Sequence, residues 1–112
     1  MDNVYRTQIA ELINTAYPQL ATTHRLEFRN VFGAIGGYVN GRIFASYGKF
    51  GFALRLPPDI LLPLFNEKAA THLKYFPKGH VKKEYGVLHK LILGDTTRLR
   101  ALLKKSIQYT LK

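Results

Sequence analysis

The 112 residues suffice for one domain and are too few for two ordinary ones. With 46% apolar and 21% charged residues, the chain can build a core and is not a disordered tail. Seventeen Lys and Arg against seven Asp and Glu leave a net charge of +10; the absence of cysteine excludes a disulfide scaffold, a zinc finger, an iron–sulfur cluster and a thiol nucleophile.

No apolar run approaches the roughly 20 residues that span a bilayer. The opening Met1-Asp2-Asn3-Val4-Tyr5 has neither a basic nor an apolar signal-peptide region. The expectation is a soluble cytoplasmic protein without membrane association, its residues 1–112 forming one domain.

Residues 3–17 predict a helix. Tyr5, Ile9, Leu12, Ile13 and Ala16 recur at spacings of three and four, Asp2 or Asn3 can cap the exposed amides, and Pro18 blocks continuation. From Leu26 the period changes to two. Leu26, Phe28, Val31 and Phe32 lead through the glycine-rich stretch Gly33-Ala-Ile-Gly36-Gly37-Tyr38 to Asn40-Gly41, the strongest short hairpin signal in the chain. Ile43-Phe44-Ala45 is the return strand, Gly48-Lys49 a second turn and Phe50 to Leu56 a third strand.

Pro57-Pro58-Asp59 then opens a helix built on Ile60, Leu61, Leu64 and Phe65 and ending near Ala70. Leu73 to Phe76 and Lys82 to Leu88 predict two further strands joined by a Pro77-Lys78-Gly79 turn. Asp95 or Thr96 caps a last helix with Leu99, Leu102, Leu103 and Ile107 inward. The order is α-β-β-β-α-β-β-α. The fold class is α+β: a two-layer α/β sandwich with a five-stranded antiparallel sheet. Tyr38, Phe44, Leu54, Leu64 and Leu99 fall at periods that place them in the core.

The residues that carry chemistry point away from catalysis. His24, His72, His80 and His89 include no pair at the i, i+4 spacing of a helical zinc site, although His72 and His80 could approach across a hairpin. Ser46 and Ser106 sit in no nucleophile elbow, and the seven carboxylates form no evident acid/base pair. The Gly33–Gly37 stretch lacks the GxGxxG order, the following helix and the Walker Lys-Ser/Thr of phosphate loops. A bulge or tight bend is the plainer reading. No metal or cofactor is implied, and an enzyme using the bend is kept as the rival reading.

Charge is distributed unevenly. Residues 1–67 hold six bases and five acids, whereas residues 68–112 hold eleven bases and two acids, Glu84 and Asp95. Lys74, Lys78, Lys82, Lys83 and Lys90 fall in the last hairpin and its exit, and Arg98, Arg100, Lys104 and Lys105 on the last helix. These nine are the candidate binding residues, with Tyr75, Phe76 and Tyr85 interleaved unless alternation turns the rings into the core. Cations mixed with aromatics suit nucleic acid; cations alone suit an acidic protein partner or simple solubility.

The run Phe32-Gly33-Ala-Ile-Gly36-Gly-Tyr38-Val-Asn-Gly41-Arg-Ile-Phe44-Ala45 resembles the signature of the TfoX (Sxy) N-terminal domain family. Phe52-Ala-Leu54-Arg55 stands where the family's next strand falls, and Tyr85, Asp95, Leu99 and Ala101 keep its later spacing. Val31, His89 and Leu102 replace the family's methionine, proline and aromatic. The resemblance, over about residues 8–107, implies a two-layer fold with an antiparallel sheet and a non-catalytic regulator of competence (DNA-transformation) genes acting in bacterial transcription. Full-length relatives carry a helical C-terminal domain, so this chain is expected to be a stand-alone module. The resemblance supplies no catalytic residue.

Overall fold

Phe32 and Gly33 both adopt the left-handed backbone conformation, with φ of 47° and 77°. That pair folds the expected first strand back on itself. The computed structural model, which describes residues 2–76 and 78–112, therefore has six strands, not the five expected. The chain runs α1 (Asp2–Ala16), α2 (Leu20–Thr23), β1 (Leu26–Val31), β2 (Ala34–Val39), β3 (Arg42–Gly48), β4 (Gly51–Arg55), α3 (Pro58–Asn66), β5 (Ala70–Leu73), β6 (Lys82–Leu88), α4 (Lys90–Leu93) and α5 (Thr96–Leu111). All strand pairs are antiparallel, in the order β1-β2-β3-β4-β6-β5. The α+β class stands. The strand count and element order are corrected, and the short helices α2 and α4 are additions.

The helical layer covers one face only. The cross-strand row Phe28–Gly37–Ala45–Leu54–Gly86–His72 lies on that inner face. Ile9 of α1 sits over Gly37, Leu61 and Phe65 of α3 over Gly86, and the Ser106 hydroxyl of α5 donates to the Phe44 carbonyl at 3.1 Å. Between the layers lie Ile9, Ile13, Phe44, Phe52, Leu54, Leu56, Leu61, Leu99 and Leu103, all buried. The neighbouring row, Arg29–Gly36–Ser46–Ala53–Val87–Thr71, forms the outer face, which no helix covers.

Local chemistry explains where these elements begin and end. Pro58 occupies an N-terminal position of α3, where its missing amide costs nothing, and the Asp95 carboxylate caps α5 by accepting from the Arg98 amide at 3.1 Å. Helix α3 ends at Asn66, four residues short of the expected Ala70. Lys68 turns left-handed at φ 60°, its amide donating to the Phe65 carbonyl and that of Ala69 to Leu64. This is a Schellman stop with lysine where glycine is usual. Strand β5 consequently starts at Ala70, and the expected strand Leu73–Phe76 is not formed. An N-cap from the side chain of Asp2 or Asn3, and Pro77 of the expected turn, lie outside the described residues.

A bulge between β2 and β3 fixes which face each ring reaches. Gly37 opposes Ala45 and Tyr38 opposes Ile43, so Phe44 is the extra residue. Phe44, Leu54, Leu64 and Leu99 are buried as expected. Tyr38 is not: it is half-buried on the outer face, with the Arg29 guanidinium 5.0 Å from its ring centre.

Candidate functional site

The outer face is shallow in the middle because Gly36, Ser46 and Ala53 present little side chain there. Aromatic rings occupy the space. Residues 74–76 and 78–81, between the β5 edge and β6, lie against this face. They are held by the Tyr75 hydroxyl, which donates to Ser46 Oγ at 3.2 Å. The Tyr75 ring packs edge-on against Phe32 at 5.3 Å and Phe50 at 5.5 Å. Phe76 meets Phe32 at 6.2 Å, again edge to face. Burial pushes the Tyr75 and Tyr85 phenols above their ordinary range, and Tyr75 adds to the shift of Tyr85.

Two rings stay in water. Phe32 is 61% exposed at the tip of the β1–β2 turn, and Phe76 is 56% exposed beside it. The Lys82 ammonium lies 6.0 Å from the ring centres of both Phe32 and Tyr75, at the outer limit of a cation–π contact. Phe32, Tyr75, Phe76, Gly79, His80 and Lys82 line a shallow cavity of about 210 Å³. Lys74, Lys78 and Lys83 are exposed in the same segment and its return strand.

No carboxylate offsets these cations locally. The run 74–83 holds four lysines and no acid. Glu84, next in line, accepts from the Tyr109 hydroxyl at 2.5 Å and pairs with Arg55 at 3.1 Å. Those two interactions, Tyr109 first, hold its carboxyl below the ordinary value of 4.5. Among the described residues, none of the four ion pairs involves a lysine.

The nine candidate cations do not share one surface. Lys74 and Lys78 belong to the residues against the outer face, and Lys82 and Lys83 to β6. Lys90 is on α4. The four bases of α5 belong to the helical layer on the opposite side, where three make intramolecular contacts. Arg98 pairs with Glu67, the Arg100 guanidinium donates to the Ala16 carbonyl at 2.7 Å, and Lys104 lies 5.6 Å from the Tyr17 ring centre. Lys105 borders a shallow depression with Asp59 and Tyr109. Phe76 is one of the aromatics interleaved with the cations in the sequence, and it is exposed; Phe32 is the ring that sequence spacing did not assign, and its signal was a bulky residue before Gly33 in a turn.

The other chemistry-bearing residues disperse. His72 stacks on Phe65 at 4.2 Å on the inner face, and His80 borders the outer cavity, so the two do not meet. His89 Nδ1 accepts from the Leu91 amide. Among the described residues no three His, Asp or Glu gather as a metal site. A cavity of about 320 Å³ between α1 and the start of α5 is lined by Gln8, Glu11, Thr15 and Thr96, with apolar neighbours. It offers one carboxylate and neither histidine nor lysine.

Together these features define a two-layer α+β domain with helices on one face of an antiparallel sheet and an aromatic, lysine-flanked segment against the other. The chain belongs to the TfoX N-terminal domain family, whose model matches residues 18–109. No curated protein and no solved structure matches it significantly.

Proposed function

We propose that this chain is a non-catalytic regulatory module of the TfoX type, acting in the bacterial cytoplasm on transcription of competence genes by binding a partner. The observation that carries this over the rival enzyme is the packing at the glycine-rich bend. A Cβ at Gly36 would meet Ile43, Tyr38 and Val31 at 3.0–3.2 Å, and one at Gly37 would meet Phe44, Ile9 and Ala45 at 3.4–3.6 Å. Both glycines also lie in strand pairings, so the bend offers no cradle of free amides for a phosphate. Family membership supports the reading as a TfoX-like module. The unneutralised lysines supply a surface for a polyanionic partner, either nucleic acid or an acidic protein.

The test is a competence-promoter reporter in a host lacking its own TfoX-type regulator. Expression of the full chain should restore the reporter, and reversing Lys82 and Lys83 to Glu should abolish that without loss of folded protein. A silent reporter alongside well-folded protein, or turnover in a broad substrate screen, would overturn the reading.

A further inference from the structure

We infer that the outer sheet face binds single-stranded nucleic acid, with unpaired bases stacking on Phe32 and Phe76 and phosphates held by Lys78, Lys82 and Lys83. The inference rests on reading the chain as a binding module and names the partner's chemistry. Phe32 is the first argument. A bulky residue at φ 47° is uncommon and strained, and asparagine or glycine would relieve it. Burial does not compensate, because the ring is 61% exposed. The turn therefore keeps most of an aromatic ring in solvent, beyond its edge contacts with Tyr75 and Phe76.

The second argument is the pairing of rings with uncompensated charge. Phe32 and Phe76 meet at an interplanar angle of 68°, so they are not stacked face to face, and each residue stays more than half exposed. That tilt also precludes a clamp around one base, and gives each ring its own. A duplex keeps its bases stacked and offers only their edges, whereas a single strand presents π-faces beside its phosphates. An acidic protein would use the lysines and leave the rings unexplained.

The third argument is mechanical. Tyr75, next to Phe76, is tied to Ser46 in the sheet, Phe32 sits in the tight turn between paired β1 and β2, and Lys82 and Lys83 open strand β6.

The test is fluorescence anisotropy on the full chain with labelled 12-mers of oligo(dT) and oligo(U) and a 12-base-pair duplex, at about 50 mM salt, where the electrostatic contribution is strong. A single strand should bind at least tenfold more tightly than the duplex. Whichever strand binds better identifies the sugar, and either result supports the proposal. Three phosphate contacts give a slope of log K on log salt near −2 for single strands. Lys82→Gln should make it shallower by about 0.7.

Phe76→Leu keeps an apolar side chain and should weaken binding about tenfold, the loss expected for one stacked base. Phe76→Trp should retain binding and show indole quenching by the bound strand; the native chain has no tryptophan to interfere. Phe32→Ala provides the second ring. Lys104→Gln with Lys105→Gln, on the helical side, should leave strand affinity unchanged.

Four results would each overturn the proposal: no binding to either strand, equal affinity for duplex, full affinity in Phe76→Leu, or an equal loss from the α5 pair. A working reporter with no strand binding sinks this inference and leaves the regulatory reading standing. Strand binding with a silent reporter does the reverse.

Discussion

Ser106 and Thr110 lie one turn apart on the buried face of α5, and removing their hydroxyls should move stability in opposite directions. Both side chains are essentially inaccessible. The Ser106 hydroxyl donates to the Phe44 carbonyl at 3.1 Å. Phe44 is the extra residue of the β2–β3 bulge and has no Cα partner in either register, and the Ser106 hydroxyl supplies its carbonyl with a buried donor. Thr110 Oγ1 is the one buried side-chain polar atom without a partner among the described residues.

Ser106→Ala strands the Phe44 carbonyl, at a cost of about 1–3 kcal/mol, offset by a few tenths from better helix propensity. The net loss is about 1–2 kcal/mol. Thr110→Val keeps the shape and removes a hydroxyl desolvated without compensation, a gain of about 1 kcal/mol. At about 4 °C per kcal/mol for a domain of this size, Tm should fall by about 4–8 °C in the first variant and rise by about 4 °C in the second. Thermal unfolding followed by circular dichroism, checked by urea titration, reads both. If both variants shift in the same direction, the assignment of which hydroxyl is satisfied is wrong.

Gly86→Ala drives a Cβ to 2.8 Å from the buried Leu61 and 3.3 Å from Ala70, and should cost about 1–3 kcal/mol in urea unfolding; Gly37→Ala, with nothing nearer than 3.4 Å, should be neutral or slightly stabilising. Equal costs would refute that difference in packing. Phe44→Ala, which removes a fully buried ring, should cost about 3–5 kcal/mol, and an unchanged Tm would refute its place in the core. Glu84 titrates below its ordinary 4.5 in the folded chain because Tyr109 and Arg55 favour the carboxylate. The folded state then binds fewer protons, so this contribution is present above the ordinary value and lost as pH falls through the folded one. Glu84→Gln should flatten the acid limb of Tm against pH between about 3 and 5, where a glutamate titrates, and an unchanged limb would count against the pairing.

What the sequence made legible follows from backbone conformation. Strand β6 forms at Lys82–Leu88 as its pattern predicts, α5 buries Leu99, Leu102, Leu103 and Ile107, and α1 buries Ile9, Ile13 and Ala16 with Tyr5 and Leu12 half-buried. Three non-glycine residues have positive φ: Phe32, Asn40 and Lys68. Asn40, before Gly41, is the residue type that tolerates this, and its turn is predictable. Phe32 and Lys68 are not such types, and each hides a boundary. One is the turn that makes the sixth strand; the other is the stop that shortens α3 and moves β5 forward. Tyr38 was misplaced because strand alternation fixes which residues share a face without saying which face the helices cover. The lysines of the candidate site were visible as a charge excess, but their division between two faces depends on pairings from distant parts of the chain.

That division changes what the excess charge means. Residues 68–112 carry a net +9, and a tally cannot separate cations that hold the fold from cations left free. On α5, Arg100 reaches the last carbonyl of α1, a group with no partner inside its own helix, and Lys104 lies over Tyr17 just beyond it. These residues fasten the two long helices together, so neutralising them costs stability. Across the sheet, the lysines of 74–83 have no carboxylate beside them, and the aromatic residues among them only partly shield a face too poor in side chain to bury them. The outer face carries glycine, serine and alanine in its middle strands and has no helix packed on it among the described residues. It can seat one anchored tyrosine and leave its neighbours exposed, which is the arrangement found. Three of the eleven bases, Arg98, Arg100 and Lys104, thus contact the fold itself, and four, Lys74, Lys78, Lys82 and Lys83, sit in the run that carries Phe76, one of two adjacent, strongly exposed rings among the described residues.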